Sequence, residues 1–209
     1  IEQFDIERLV DLGEISGVIR GGITAEGVGD RLPKLTARAD LIIDRLRVGE
    51  WQFGTTSINA RIADAAAKLS GAVRGELGQA RWQGSFLLHD VPSYALELSA
   101  QNLDLKHAAE DRTSLEGRVN LEARVKGSGM RLREMDAQAS VRVHPSTVGR
   151  VSIERGRLDA RIENARVKIA RVMLRAGDTI IELKGDIGIM PGARGELSYA
   201  LRVGELAHG

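Results

Sequence analysis

The 209-residue chain contains no cysteine. That excludes a disulfide framework and a thiolate metal site, and fits the cytosol and the periplasm equally. Aromatic residues make up only 3% of it. So low a content argues against a compact two-layer globule, because aromatic side chains supply much of the buried area in such cores. Neither sign of charge is in surplus, with 30 basic against 29 acidic residues. The electrostatic footprint of a nucleic-acid binder is therefore missing. No run approaches the roughly 18 apolar residues of a membrane-spanning helix, and no signal peptide is present. The chain opens on Ile1 and ends in mid-pattern, and reads as a piece of a longer protein whose targeting signals would lie outside it.

Motifs for chemistry are equally scarce. The four histidines, His89, His107, His144 and His208, have no second histidine or carboxylate at a recognised metal-ligand spacing. His107 with Glu110 and Asp111 comes nearest, and reads as a loop between repeats. Gly27–Val28–Gly29 is too short for a phosphate loop and precedes no helix. No nucleophile elbow, zinc-protease helix or nucleotide P-loop occurs. Ser146 has no evident base and reads as a turn residue. The expectation is a protein without enzymatic activity, cofactor or metal.

What the chain does have is glycine, 24 residues of it, and period-2 alternation. Residues 114–143 are the clearest stretch, with predicted strands at 117–126 and 134–143 around Gly127–Ser128–Gly129. Val119, Leu121, Ala123 and Val125 share one face of the first; Arg118, Asn120, Glu122, Arg124 and Lys126 share the other. This is a strand with one dry and one wet side. In the second, Met135, Ala137, Ala139, Val141 and Val143 are dry.

The stretch occurs twice. Shifted by 100, residues 15–68 match residues 115–168 at 14 of 54 positions, where ordinary residue usage gives roughly four. Gly17, Gly27, Gly29, Ala60–Arg61–Ile62 and Lys68 all find their equals. So long a unit must hold several strands per copy, the first over 1–102 and the second over 103–209. Short strands are expected at Phe4–Asp5–Ile6 and Leu103–Asp104–Leu105. Gly21–Gly22 suggests a bulge or bend in the strand 15–26. Gly54–Thr55–Thr56 is expected to separate strands 48–53 and 58–63, and residues 167–169 and 172–174 read as two strands. The alanine run at 65–69 resembles a helix, but its alternating counterpart at 165–169 makes it a strand. Turn signals about every 8–12 residues complete an all-β antiparallel meander of about 12–14 strands in two tandem repeats. A sandwich or barrel would fill its interior with bulky side chains. Here the dry positions are largely Val, Leu, Ile and Ala, a thin lining that fits a sheet curled into an open, U-shaped trough.

The order Leu103–Asp104–Leu105, Leu115–Glu116–Gly117, an alternating strand, Gly127–x–Gly129 and then Ala137–x–Ala139–x–Val141 resembles the repeats of AsmA-like proteins. Residues 141–149 and the strand around Leu183–Lys184–Gly185–Asp186–Ile187 are similar to the TamB branch of that family. The first copy departs from the pattern, with Gly21–Gly22 within a strand and Asp44–Arg45–Leu46 in place of His144–Pro145–Ser146. The resemblance implies a periplasmic protein of a diderm bacterium, anchored in the inner membrane outside this segment. It implies an apolar β groove that moves phospholipid towards the outer membrane, or a scaffold that assembles outer-membrane proteins with a TamA-like barrel by edge-strand pairing. Groove lining then falls in the first copy to Ile19, Ile23, Leu35, Leu41, Ile43, Trp51, Phe53, Ile58, Ile62, Trp82, Phe86, Leu88, Tyr94, Leu96 and Leu98. In the second copy it falls to Val119, Leu121, Val125, Met135, Val141, Val143, Val151, Ile153, Leu158, Ile162, Val167, Ile169, Ile181, Leu183, Ile187, Tyr199 and Leu201. The implied partners are phospholipid acyl chains and that barrel, with no nucleic acid and no metal. A closed-core, adhesin-like repeat is the remaining alternative, and it would bind neither.

Overall fold

The computed structural model describes residues 4–5, 15–27, 35–48, 51–76, 78–105, 116–129, 131, 133–189 and 194–203. These residues form one antiparallel sheet. Its strands are β1 (Phe4–Asp5), β2 (Ile15–Gly27), β3 (Leu35–Val48), β4 (Trp51–Ala63), β5 (Ala66–Gly75), β6 (Gly78–Leu87) and β7 (Ser93–Asp104). They continue with β8 (Gly117–Ser128), β9 (Asp136–Val148), β10 (Val151–Ile153), β11 (Arg155–Glu163), β12 (Arg166–Ala176), β13 (Thr179–Gly188) and β14 (Glu196–Val203). Each strand pairs with its sequence neighbours, except that β10 folds beside β9 and leaves the path to β11. β1 and β14 are the two edges, so the sheet is not closed. An antiparallel sheet this wide curls under its own right-handed twist. The result is an open curled meander.

Turn chemistry explains the sharpest corners. The β4–β5 hairpin turns on Asp64 and Ala65, with φ of 51° and 56°, and the β11–β12 hairpin on Asn164 and Ala165, with φ of 50° and 55°. Two consecutive left-handed residues make a type I′ turn, whose twist matches that of the strands, and Asp and Asn tolerate that region. Both alanines are buried, and their carbonyls accept from Leu88 N–H (2.7 Å) and Ile189 N–H (3.1 Å). Turns of the same design thus stand a hundred residues apart. The 102/103 position lies inside β7, where Asn102 has φ 53° and the pairing with β8 shifts register.

Several local expectations are corrected. β2 runs unbroken through Gly21–Gly22, and its irregularity lies between Ser16 and Val18. Gly21 still matters: its φ is +143°, and a Cβ there would stand 2.1 Å from the Asp40 carbonyl oxygen. Gly54 does not separate two strands, because β4 continues past it with φ +67° and a register shift against β3. Residues 167–169 and 172–174 belong to one strand, β12, in which the register shift between Ile169 and Val172 restores the alternation. Leu103 and Asp104 close β7 rather than forming a strand of their own, and Ile6 lies outside the described residues. Ser146 sits in β9, not in a turn. Its buried hydroxyl donates to the His144 carbonyl at 2.7 Å and accepts from Asn120 N–H at 2.9 Å, where β8 and β9 slip register. The Gly27–Gly29 turn, His107 with Glu110–Asp111, and His208 also lie wholly or mainly outside the described residues.

Among the described residues the wet face carries a lattice of ion pairs, mostly in the second copy. Arg161 binds Asp136 (2.9 Å) and Glu163 (3.0 Å), Arg171 binds Glu182 (3.0 Å), and Lys168 and Arg166 bind Glu163 and Asp186. The hydrogen bond from Lys168 and then its charge hold the Glu163 carboxyl below its ordinary value. The hydrogen bond from Arg166 does the same for Asp186. A lowered folded-state pKa contributes stability above the unfolded value, about 4, that is lost as pH falls through the folded value. The urea midpoint should therefore drop as pH falls from about 5 to 3, and drop less steeply in the Glu163→Gln/Asp186→Asn double variant. An unchanged acid limb in that variant would discount these pairs.

Candidate apolar face

Register carries the alternation of single strands across the whole sheet, because directly paired residues of antiparallel strands point to the same side. One row runs Ile19, Ile43, Thr56, Val73, Ala80, Ala100, Leu121, Val143, Gly156, Leu174, Ile181 and Leu201. The next runs Gly21, Leu41, Ile58, Gly71, Trp82, Leu98, Ala123, Val141, Leu158, Val172, Leu183 and Tyr199. A third runs Ile23, Ala39, Ala60, Leu69, Gly84, Leu96, Val125, Ala139, Ala160, Ile169, Gly185 and Leu197. The fourth runs Ala25, Ala37, Ile62, Ala67, Phe86, Tyr94, Gly127, Ala137, Ile162, Val167 and Ile187. Thr56 is the one hydroxyl residue inside these rows apart from the tyrosines. It is buried, and its Oγ1 has no hydrogen-bond partner among the described residues.

Most expected lining residues take their places in these rows. Val119 lies beyond them, paired with Leu103, and Ile153 is buried opposite Ser146. Met135 precedes β9, Phe53 adjoins the β4 irregularity, and Val151 at the β9–β10 turn is half exposed. Leu88 follows the end of β6 at Leu87; it is half-buried, and its N–H donates to the Ala65 carbonyl at 2.7 Å, one step beyond the β5–β6 ladder. Leu35 and Trp51 start β3 and β4, opposite Gly27 and Val48. Leu69, Val73, Val172, Leu174 and Leu197 complete the rows but were not expected as lining. The first two hide in a run of small residues, and the third and fourth follow the β12 bulge.

The face is lined but not covered. No large side chain among the described residues is fully buried, and the buried apolar residues are mostly alanines with Ile43 and Ile153. Exposure rises towards the edges, to 58% at Ile23 and 82% at Tyr199. A closed core is thereby ruled out for the described sheet. Neighbours shield one another instead: Phe86 and Tyr94 pair with ring centroids 6.4 Å apart. Trp82 covers Gly71, and Leu96 and Leu197 cover Gly84 and Gly185 at matching places in the two copies.

The opposite face is built of long charged side chains, and furrows open between them. One, of about 620 Å³, is lined by Arg38, Asp40, Asn59, Arg61, Lys68 and their neighbours; another, of about 530 Å³, by Arg81, Gln83, Glu97, Glu122 and Arg124 among others. Long side chains standing on a sheet make walls for such furrows. Among the described residues no three His, Asp or Glu side chains converge as metal ligands. Comparison of the chain with family models, curated proteins and solved structures finds no match.

Proposed function

We propose that the chain is a segment of a periplasmic bridge of the AsmA-like, TamB type, anchored in the inner membrane of a diderm bacterium outside this segment. Its apolar face holds phospholipid acyl chains and conducts them towards the outer membrane, while headgroups stay at the wet rim. The observation that carries this reading is the four-row apolar face left uncovered in an open sheet. An exposed greasy surface of that kind in water calls for a ligand, a membrane or a partner. Each CH₂ that leaves water contributes about 0.8 kcal/mol, so even a shallow strip can retain a two-chain lipid. A strip of interchangeable Val, Leu, Ile and Ala gives a methylene chain no fixed station, which suits sliding. The repeat pattern around residues 103–149 and 183–187 adds the family resemblance. No enzymatic step, cofactor or metal enters the proposal.

A second reading is favoured by β14, whose residues are exposed on both faces and whose outer edge is unpaired among the described residues. Such an edge can template a strand of a client outer-membrane protein, handed on to a TamA-like assembly barrel.

Mass spectrometry of organic extracts from the purified chain separates the two. Under the conduit reading the wild type carries phospholipid and Leu121→Arg, a charge in the middle of the first row, carries none. Lipid-free protein in both, folded and monomeric, would sink the conduit and leave the edge as the working site.

A further inference from the structure

On the wet face, Arg38, Arg61 and Lys68 stand directly opposite one another on β3, β4 and β5. Adjacent strands lie about 4.8 Å apart, so three cations crowd into roughly 10 Å. Like charges in direct register repel and cost stability unless something neutralises them. The second copy supplies the neutralisation: Arg161 and Lys168, the equals of Arg61 and Lys68, are held by Asp136 and Glu163. In the first copy those acids are replaced by Thr36 and Ala63. Arg38 binds Asp40 at 2.7 Å, but neither Arg61 nor Lys68 has an ion-pair or hydrogen-bond partner among the described residues. Glu97, across the furrow, is engaged by Arg124 at 3.2 Å and Gln83 at 2.7 Å. Glu26 and Asp64 are the remaining nearby carboxylates, and neither pairs with the three cations among the described residues.

The cations also border a space. The furrow of about 620 Å³ is lined by all three, together with the neutral donors Asn59, Ser70, Gln83 and Ser85 and the carboxylates of Asp40 and Glu97, each of which already has a cationic partner in Arg38 or Arg124. That volume falls within the range of small-ligand sites. The unpaired Arg61 fork and Lys68 ammonium, with the N–H groups that Arg38 does not spend on Asp40, suit the several oxygens of a tetrahedral anion, and the amides and hydroxyls suit the polar group esterified to it. We propose that Arg38, Arg61 and Lys68 form a binding site for a phosphate ester on the wet face of the first copy. The site is independent of the lipid reading, because it lies on the opposite side of the sheet from the apolar rows.

The test uses the whole chain with two probes at low salt: free glycerol 3-phosphate by calorimetry, and vesicles of phosphatidylcholine with or without phosphatidylglycerol by co-sedimentation. Arg61→Gln/Lys68→Gln should weaken binding about tenfold or more. Thr36→Asp/Ala63→Glu, which transplants the second copy's acids and removes no cation, should weaken it comparably. Arg161→Gln/Lys168→Gln should leave it unchanged. Binding of glycerol 3-phosphate assigns the site to a free ester; binding only to the anionic vesicles assigns it to a headgroup in a bilayer. Failure of both probes, or wild-type binding by the Thr36→Asp/Ala63→Glu variant, overturns the site. Circular dichroism of each variant checks that the sheet is intact.

Discussion

Gly71→Val is expected to cost the sheet about 3 kcal/mol, the upper end of what overpacking costs. A Cβ at position 71 would stand 2.2 Å from Cζ2 of Trp82 and 2.5 Å from the Ser57 carbonyl oxygen. The indole lies over the bare backbone of β5, and covering a glycine with a cross-strand aromatic protects apolar area that the thin face cannot bury otherwise. A urea titration measures the loss as a lower midpoint. A double-mutant cycle isolates the contact: Gly71→Ala should be milder by about 1 kcal/mol when Trp82 is already alanine. The Ser57 oxygen keeps the double variant from full recovery. A wild-type midpoint for Gly71→Val would mean that the ring does not rest there.

Val141→Pro should be at least as damaging, at about 3 kcal/mol or more. β9 is paired along both edges, Val141 with Ala123 of β8 and with Leu158 of β11. In such a strand every N–H belongs to one ladder or the other, so a proline always removes a bond and drives its ring against the neighbouring strand. β14 is different, because it pairs with β13 alone. Successive N–H groups there point alternately into the sheet and out of it. Of Ala200→Pro and Leu201→Pro, one should therefore unfold the edge and the other should leave the melting temperature near that of the wild type. The tolerated variant then doubles as a functional probe. It leaves the apolar rows from β2 to β13 intact and blocks the outer edge, so under the scaffold reading it loses its client while lipid retention persists. If both substitutions destabilise as Val141→Pro does, the outer edge of β14 is occupied.

How far the fold was legible follows from which signals are local. Alternation around Leu121 or Val141 reports which side of a strand is dry, because consecutive side chains must point to opposite faces. The hundred-residue repeat extends that reading to residues 65–69, whose alanines resemble a helix on their own. Bulges defeat it. One extra residue, as around Ala170, breaks the parity and looks like the end of a strand, and Gly54 in the left-handed region looks like a turn. Only the partner strand on the other side of the bulge distinguishes the two.

The sequence by itself determined that the chain is all β, where most strands lie, which of their faces is dry, and that the unit occurs twice. These follow from a period of two and from residue identity, both of which act within a few residues. Tertiary structure alone decided the register that aligns separate dry stripes into four rows, and the separation of β1 from β14 that keeps the sheet open. It alone placed Trp82 over Gly71, and it alone left Arg61 and Lys68 side by side without a carboxylate. Each of these depends on residues far apart in the chain meeting in one pairing, and local periodicity carries no information about which distant residue stands opposite.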